Sequence, residues 1–106
     1  MMENNTEMAF QIILLSGNGR SSAMEAIQYA KDNDLNAAQE KLAEAATEIN
    51  KAHNFQTKLL QAEAQGKNYE LNLILIHSQD HLMNAITIKD MASEFIDLYT
   101  QINKKG

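Results

Sequence analysis

The segment HSQDHLM, His77 to Met83, gathers the residues of this chain best suited to chemistry. Two imidazoles and a carboxylate follow directly on LNLILI, Leu71 to Ile76, a run with one polar residue in six. On a helix, residues three and four apart share a face, so His77 neighbours both Asp80 and His81, and Asp80 neighbours Asn84. Three readings are open. His77 and His81 have the i, i+4 spacing of a zinc-binding helix, which presents neutral imidazoles on one face. HSQDH lacks the glutamate of HExxH, however, and no third ligand is evident downstream. Alternatively, both histidines are ordinary helix residues, partly buried and hydrogen-bonded, on a helical adaptor without catalysis. Or one imidazole is a reactive group at the edge of a subunit interface. His53, in KAHNFQ, reads as structural, satisfied by a neighbouring side chain. Asp80 asks for more: in a segment expected to be buried, a lone carboxylate needs a partner, a proton or a cation.

The elements that must position this cluster are helices. The chain has no proline and four glycines, Gly17, Gly19, Gly66 and Gly106, and it is rich in good helix formers. A first helix is expected from about residue 6 to 31, with Asn4 and Glu7 at capping-box spacing. Ala9, Ile12, Ile13, Ala23, Ile27 and Ala30 are its inner side, and the two glycines of SGNGRSS should kink or interrupt it. KDNDL then turns, with Asn33 or Asp34 as the next N-cap. The second helix, about 34–64, has the cleanest period: Leu35, Ala38, Leu42, Ala45, Ile49, Ala52, Gln56, Leu59 and Glu63, apolar until its last turns. AQGKN ends it. The third should run from about 68 to 102, with Ile86, Met91, Ala92, Phe95 and Tyr99 at helical spacing. ELNLILI alternates like a strand, but no second strand exists to pair with it. The fold expected is all-α, an antiparallel up-down-up three-helix bundle. Leu71, Leu73, Ile74, Leu75 and Ile76 point almost all round the third helix, and two neighbours within one chain cover only part of that surface. The remainder predicts a homo-oligomer packed through the third helix.

Bulk properties narrow the function. The 106 residues make a single domain, 1–106, and 44% apolar content is enough for a core. So small a domain is marginal alone and gains from association. The absence of cysteine removes disulfides, thiolate catalysis and cysteine-ligated zinc, and suits a reducing cytoplasm. A net charge of −5, with nine scattered lysines and arginines, argues against nucleic acid as a partner. Lys104 and Lys105 look like a frayed tail. MMENNTEM lacks the pattern of a signal peptide, and FQIILL is too short to span a bilayer. A soluble cytoplasmic protein without direct membrane insertion is expected.

Three stretches carry a family resemblance: SGNGRSSAMEAIQYAK, AHNFQTKLLQAEAQG and, most specifically, LILIHSQDHLMNAITIKDMA, which matches the pattern LLxxHxQDHLM. In order and spacing they resemble the IIA component of the lactose/cellobiose-type (lactose/N,N'-diacetylchitobiose-β-glucoside) sugar phosphotransferase system. The likeness runs from about Met8 to Tyr99. Ser78 departs from it, standing where alanine or glycine is expected. The resemblance implies a homotrimer of three-helix bundles in a bacterial cytoplasm. It also implies that His77 receives a phosphoryl group from phospho-HPr and passes it to the cognate IIB component, for uptake of a β-linked disaccharide such as cellobiose, chitobiose or lactose. Asp80 would then meet its two symmetry mates on the trimer axis around a divalent cation.

That chemistry suits the residues. A neutral imidazole attacks a phosphoryl group in line without a separate base. Phosphoryl transfer asks the protein mainly for positioning and for donors to the equatorial oxygens, for which Gln79 and His81 are the candidates. Three carboxylates about 5 Å apart, at an effective dielectric of about 20, repel by roughly 3 kcal/mol per pair. Such repulsion calls for a cation or protons, and one Mg2+ per trimer, shared by Asp80 of three subunits, fits an all-oxygen site.

Overall fold

The computed structural model describes residues 2–67 and 72–105. Three helices follow one another: α1, Met2–Lys31; α2, Leu35–Ala64; and α3, Leu73–Lys105. No strand occurs among the described residues, and there no helix is long and apolar enough to cross a membrane. The Cα atoms fill a rod of 57 × 19 × 18 Å.

Local chemistry sets the helix ends. Asn33 takes the left-handed conformation, φ 63°, at the end of α1. Its N–H donates to the Ala30 carbonyl at 3.1 Å, and the Asp34 N–H donates to the Tyr29 carbonyl at 2.9 Å. This Schellman arrangement satisfies carbonyls that the last helical turn leaves without partners. Asp34, not Asn33, then caps α2, its carboxylate accepting from the Ala37 N–H at 3.2 Å. Gly66, φ 90°, closes α2 in the same way, with Gly66 N–H to the Glu63 carbonyl and Lys67 N–H to that of Ala62.

Two expectations about boundaries are corrected. The first helix does not begin at a box formed by Asn4 and Glu7: α1 already runs from Met2, through residues with no proline or glycine to stop it. The expected start of the third helix near Asn68 falls outside the described residues, and α3 begins at Leu73. Asn72 is the N-cap, its Oδ1 accepting from the Leu75 N–H at 2.8 Å. At its other end α3 continues past Ile102 to Lys105, so Lys104 is helical rather than frayed. Cations there complement the negative end of the helix dipole.

The SGNGRSS stretch does not interrupt α1. Tertiary packing explains why. Gly19 is buried against α2, and a Cβ on it would stand 2.6 Å from Ile49 Cγ1 and 3.3 Å from the Ala45 carbonyl oxygen. The missing side chain is what lets the two helices approach. A Cβ on Gly17 would meet nothing within 4 Å. Gly19→Val is therefore expected to lower the unfolding free energy in a urea titration by about 1–3 kcal/mol. Gly17→Ala should raise it by about 0.5–1 kcal/mol, because alanine has less backbone entropy to lose.

The core is a seam rich in small residues. Ile12 packs with Ile49, Ala52, Leu59, Leu82 and Ala85. Ala23 meets Ala45 and Ala92. Ala26 and Ala30 meet Ala38 and Ile96. Along this series the numbers rise in α1 and α3 and fall in α2. α1 lies along both other helices, whereas α2 and α3 touch each other far less. Expected inner residues Ala9, Ile12, Ala23 and Ala30 are buried, and Ile13 and Ile27 are half-buried. Glu63, last in the α2 line, is exposed. On α3 the inward line passes through Ser78, Leu82, Ala85, Ala92 and Ile96, leaving Met91 and Phe95 exposed. Those two continue an outward apolar line.

Candidate functional site

α3 separates the cluster onto two flanks. Toward solvent lie His77 and His81 one turn apart, with ring centroids 4.4 Å apart and planes crossing at 82°. Their Nε2 atoms are 3.0 Å from each other. At that distance one ring donates an N–H and the other offers its lone pair. His77 is exposed and His81 half-buried. One imidazole thus supports another at the exposed surface of α3.

Toward the bundle lie Ser78 and Gln79. Ser78 is fully buried and its hydroxyl donates to the Leu75 carbonyl at 2.6 Å, so the departure from a smaller residue leaves no orphaned polar group. Gln79 is half-buried; its Oε1 accepts from Gln56 Nε2 on α2 at 2.6 Å, and its own Nε2 donates to Ser78 Oγ at 3.3 Å. Residues two apart do not face each other on a helix, so Gln79 and His77 of one chain point to different sides. The sequence placed Gln56 in the inner line of α2 without a role. Its polarity in the line between Ala52 and Leu59 was the available signal.

Asp80 is exposed in the single chain, contrary to a simple reading of the apolar segment. Its surroundings explain the discrepancy. Leu73 is 80%, Ile76 50% and Met83 48% exposed, and with Asp80 they form one line at alternating spacings of three and four. Met91, Leu98 and Ile102 extend the outward apolar surface along the helix. A carboxylate is therefore set into an apolar strip that none of the described residues covers.

His53 is also exposed and makes no hydrogen bond among the described residues, so the expected neighbouring partner is absent there. No three His, Cys, Asp or Glu side chains converge into a metal-holding group among the described residues. Zinc at His77 and His81 would thus have two protein ligands from one chain.

This fold and this histidine-bearing helix have close counterparts. Residues 7–100 match the family model described as PTS system, Lactose/Cellobiose specific IIA subunit. The lichenan-specific phosphotransferase enzyme IIA component of Bacillus subtilis (strain 168) is 54% identical over 105 residues, 99% of this chain and 96% of that protein. The crystal structure of the PTS cellobiose-specific enzyme IIA from Bacillus anthracis superposes with a TM-score of 0.96 at 53% identity, covering 100% of this chain and 97% of that one. A solution structure of the IIA(Chitobiose)–HPr complex from Escherichia coli has a TM-score of 0.81 at 33% identity, covering 93% of this chain and 96% of that one. The chain belongs to the lactose/cellobiose-specific IIA family and is a component of a sugar phosphotransferase system.

Proposed function

We propose that the protein is a cytoplasmic phosphoryl carrier that forms a phosphohistidine at His77. Its ring nitrogen attacks the phosphorus of phospho-HPr, forming an N–P bond as the bond to the donor breaks. The cognate IIB component takes the group in the reverse geometry. The exposed His77 ring, supported at 3.0 Å by His81, carries this reading. The relative solved in complex with HPr supports the choice of donor. His81 and Gln79 are proposed as donors to the phosphoryl oxygens. His81 acts within the same chain, and Gln79, on the other flank of α3, serves a neighbouring subunit. The imported sugar is a β-linked saccharide such as cellobiose, chitobiose or lactose; relatives are named for lichenan, cellobiose and chitobiose.

The carrier is further proposed to be an up-down-up bundle that assembles as a homotrimer, with the outward line of α3 at its centre. Three copies of Asp80 then supply an oxygen-only donor set, which fits Mg2+. The ion would neutralise their charge and takes no part in phosphoryl transfer. Sedimentation in magnesium-containing buffer at micromolar concentration should give about three times 11.9 kDa. A monomer under those conditions would sink the assembly.

Incubation with phosphoenolpyruvate, enzyme I and HPr tests the function. One acid-labile, alkali-stable phosphate per subunit is expected. A helical adaptor would take none.

A further inference from the structure

We propose that Gln56 is a positioning residue for His77, acting through Gln79; this deepens the phosphoryl-carrier reading and rests on it. The sparse contact between α2 and α3 makes the case. Among the described residues, one side-chain hydrogen bond joins those two helices: Gln56 Nε2 to Gln79 Oε1, at 2.6 Å. Both side chains are half-buried, so water competes for the bond less well than at an open surface.

From Gln79 the connection continues into the backbone that carries His77. Gln79 Nε2 donates to Ser78 Oγ, and the buried Ser78 hydroxyl donates to the Leu75 carbonyl. Leu75 precedes His77 in sequence, and Ser78 and Gln79 follow it. All three are tied on the bundle side, while the His77 ring lies on the solvent side. The rotation of α3 that Gln56 holds is therefore the rotation at which His77 leaves the surface.

Small rotations matter here. Turning α3 by about 10° moves a group about 6 Å from its axis by about 1 Å. A misplacement of about 1 Å can slow a reaction about 10²-fold. A second polar tie of α3 among the described residues, Asn103 Nδ2 to Asn33 Oδ1 at 2.5 Å, is too far away to hold this end. It lies roughly 36 Å along the helix at about 1.5 Å per residue. Apolar contacts of Leu82 and Ala85 hold α3 against the bundle. They set which face of α3 turns inward, and the Gln56–Gln79 bond adds a directional restraint on that packing at the His77 end.

The test uses the full-length protein, phospho-HPr as donor, and wild type in parallel. Gln56→Leu keeps the bulk and removes the amide. Its kcat for phosphoryl acceptance should fall about tenfold or more, with KM for phospho-HPr within about twofold of wild type. The 1H–15N signals of the His77 and His81 rings should shift while helicity is retained. Gln56→Glu keeps the length but cannot donate to Gln79 Oε1, and turning the Gln79 amide over to meet it would take Nε2 off Ser78 Oγ, so the rate should stay low. If Gln56 works through Gln79, the double variant Gln56→Leu/Gln79→Leu is no slower than Gln79→Leu alone. Wild-type kcat with unmoved ring signals in Gln56→Leu, or losses that multiply in the double variant, would overturn the proposal. Should Gln56→Leu fail to fold, Gln56→Met is read by the same criteria. If wild type takes no phosphate from phospho-HPr, the carrier reading fails, and the ring signals alone decide whether Gln56 positions His77.

Discussion

His77→Ala is expected to abolish labelling by phospho-HPr while leaving helicity and assembly intact. The side chain is exposed and hydrogen-bonds to His81 among the described residues, so its removal opens no cavity in the core. The nucleophile itself is lost, and no remaining imidazole occupies its place. His53→Ala, by contrast, should label normally, because His53 lies on α2 at an exposed position without a partner among the described residues. His81→Ala falls between the two. It keeps the nucleophile but loses a donor, and one hydrogen bond to a charged group is worth roughly 1.5–3 kcal/mol, or roughly 10- to 150-fold in rate. Mass spectrometry under neutral conditions locates the adduct. Full labelling of His77→Ala, with the phosphate on His81, would move the acceptor one turn along α3.

The second large effect is expected at Asp80. Asp80→Leu should free assembly from its dependence on divalent cations and leave the helices folded. In wild type, a chelator is expected to lower the melting temperature, because in the proposed trimer the ion would bind only the assembled state. A ligand at a hundredfold excess over its Kd contributes about 2.7 kcal/mol per site. In Asp80→Leu the chelator should do nothing. The leucine would complete the line of Leu73, Ile76 and Met83, so the variant trimer is expected to melt above the chelated wild type, as when apolar residues replace buried charges elsewhere. Equal chelator effects on both proteins would remove the axial cation from the account. Asp80→Asn separates charge from packing: it relieves the repulsion but adds no apolar contact.

The all-helical class, the turn between α1 and α2 and the end of α2 were legible in the sequence because their causes are local. A chain without proline, with apolar residues three and four apart, forms helices wherever it can bury them. Asn33 with Asp34, and Gly66, end or start helices through their own backbone conformations and side-chain oxygens. The pairing of His77 and His81 was equally local, since a spacing of four alone brings them together, and the 3.0 Å contact follows from it. What tertiary structure decided is which way each surface faces. α3 is apolar on several sides, so spacing alone could not choose between a core line through Met91 and Phe95 and one through Ala92 and Ile96. The small alanine wins where helices meet closely, and the larger side chains are left outside. Gly17 and Gly19 have the same local propensity to break a helix. Only the second is pressed against Ile49, and that contact comes from a residue distant in sequence. The bond from Gln56 to Gln79 is of the same kind. It depends on two helices lying side by side, and hydrogen-bond geometry within either helix carries no record of it.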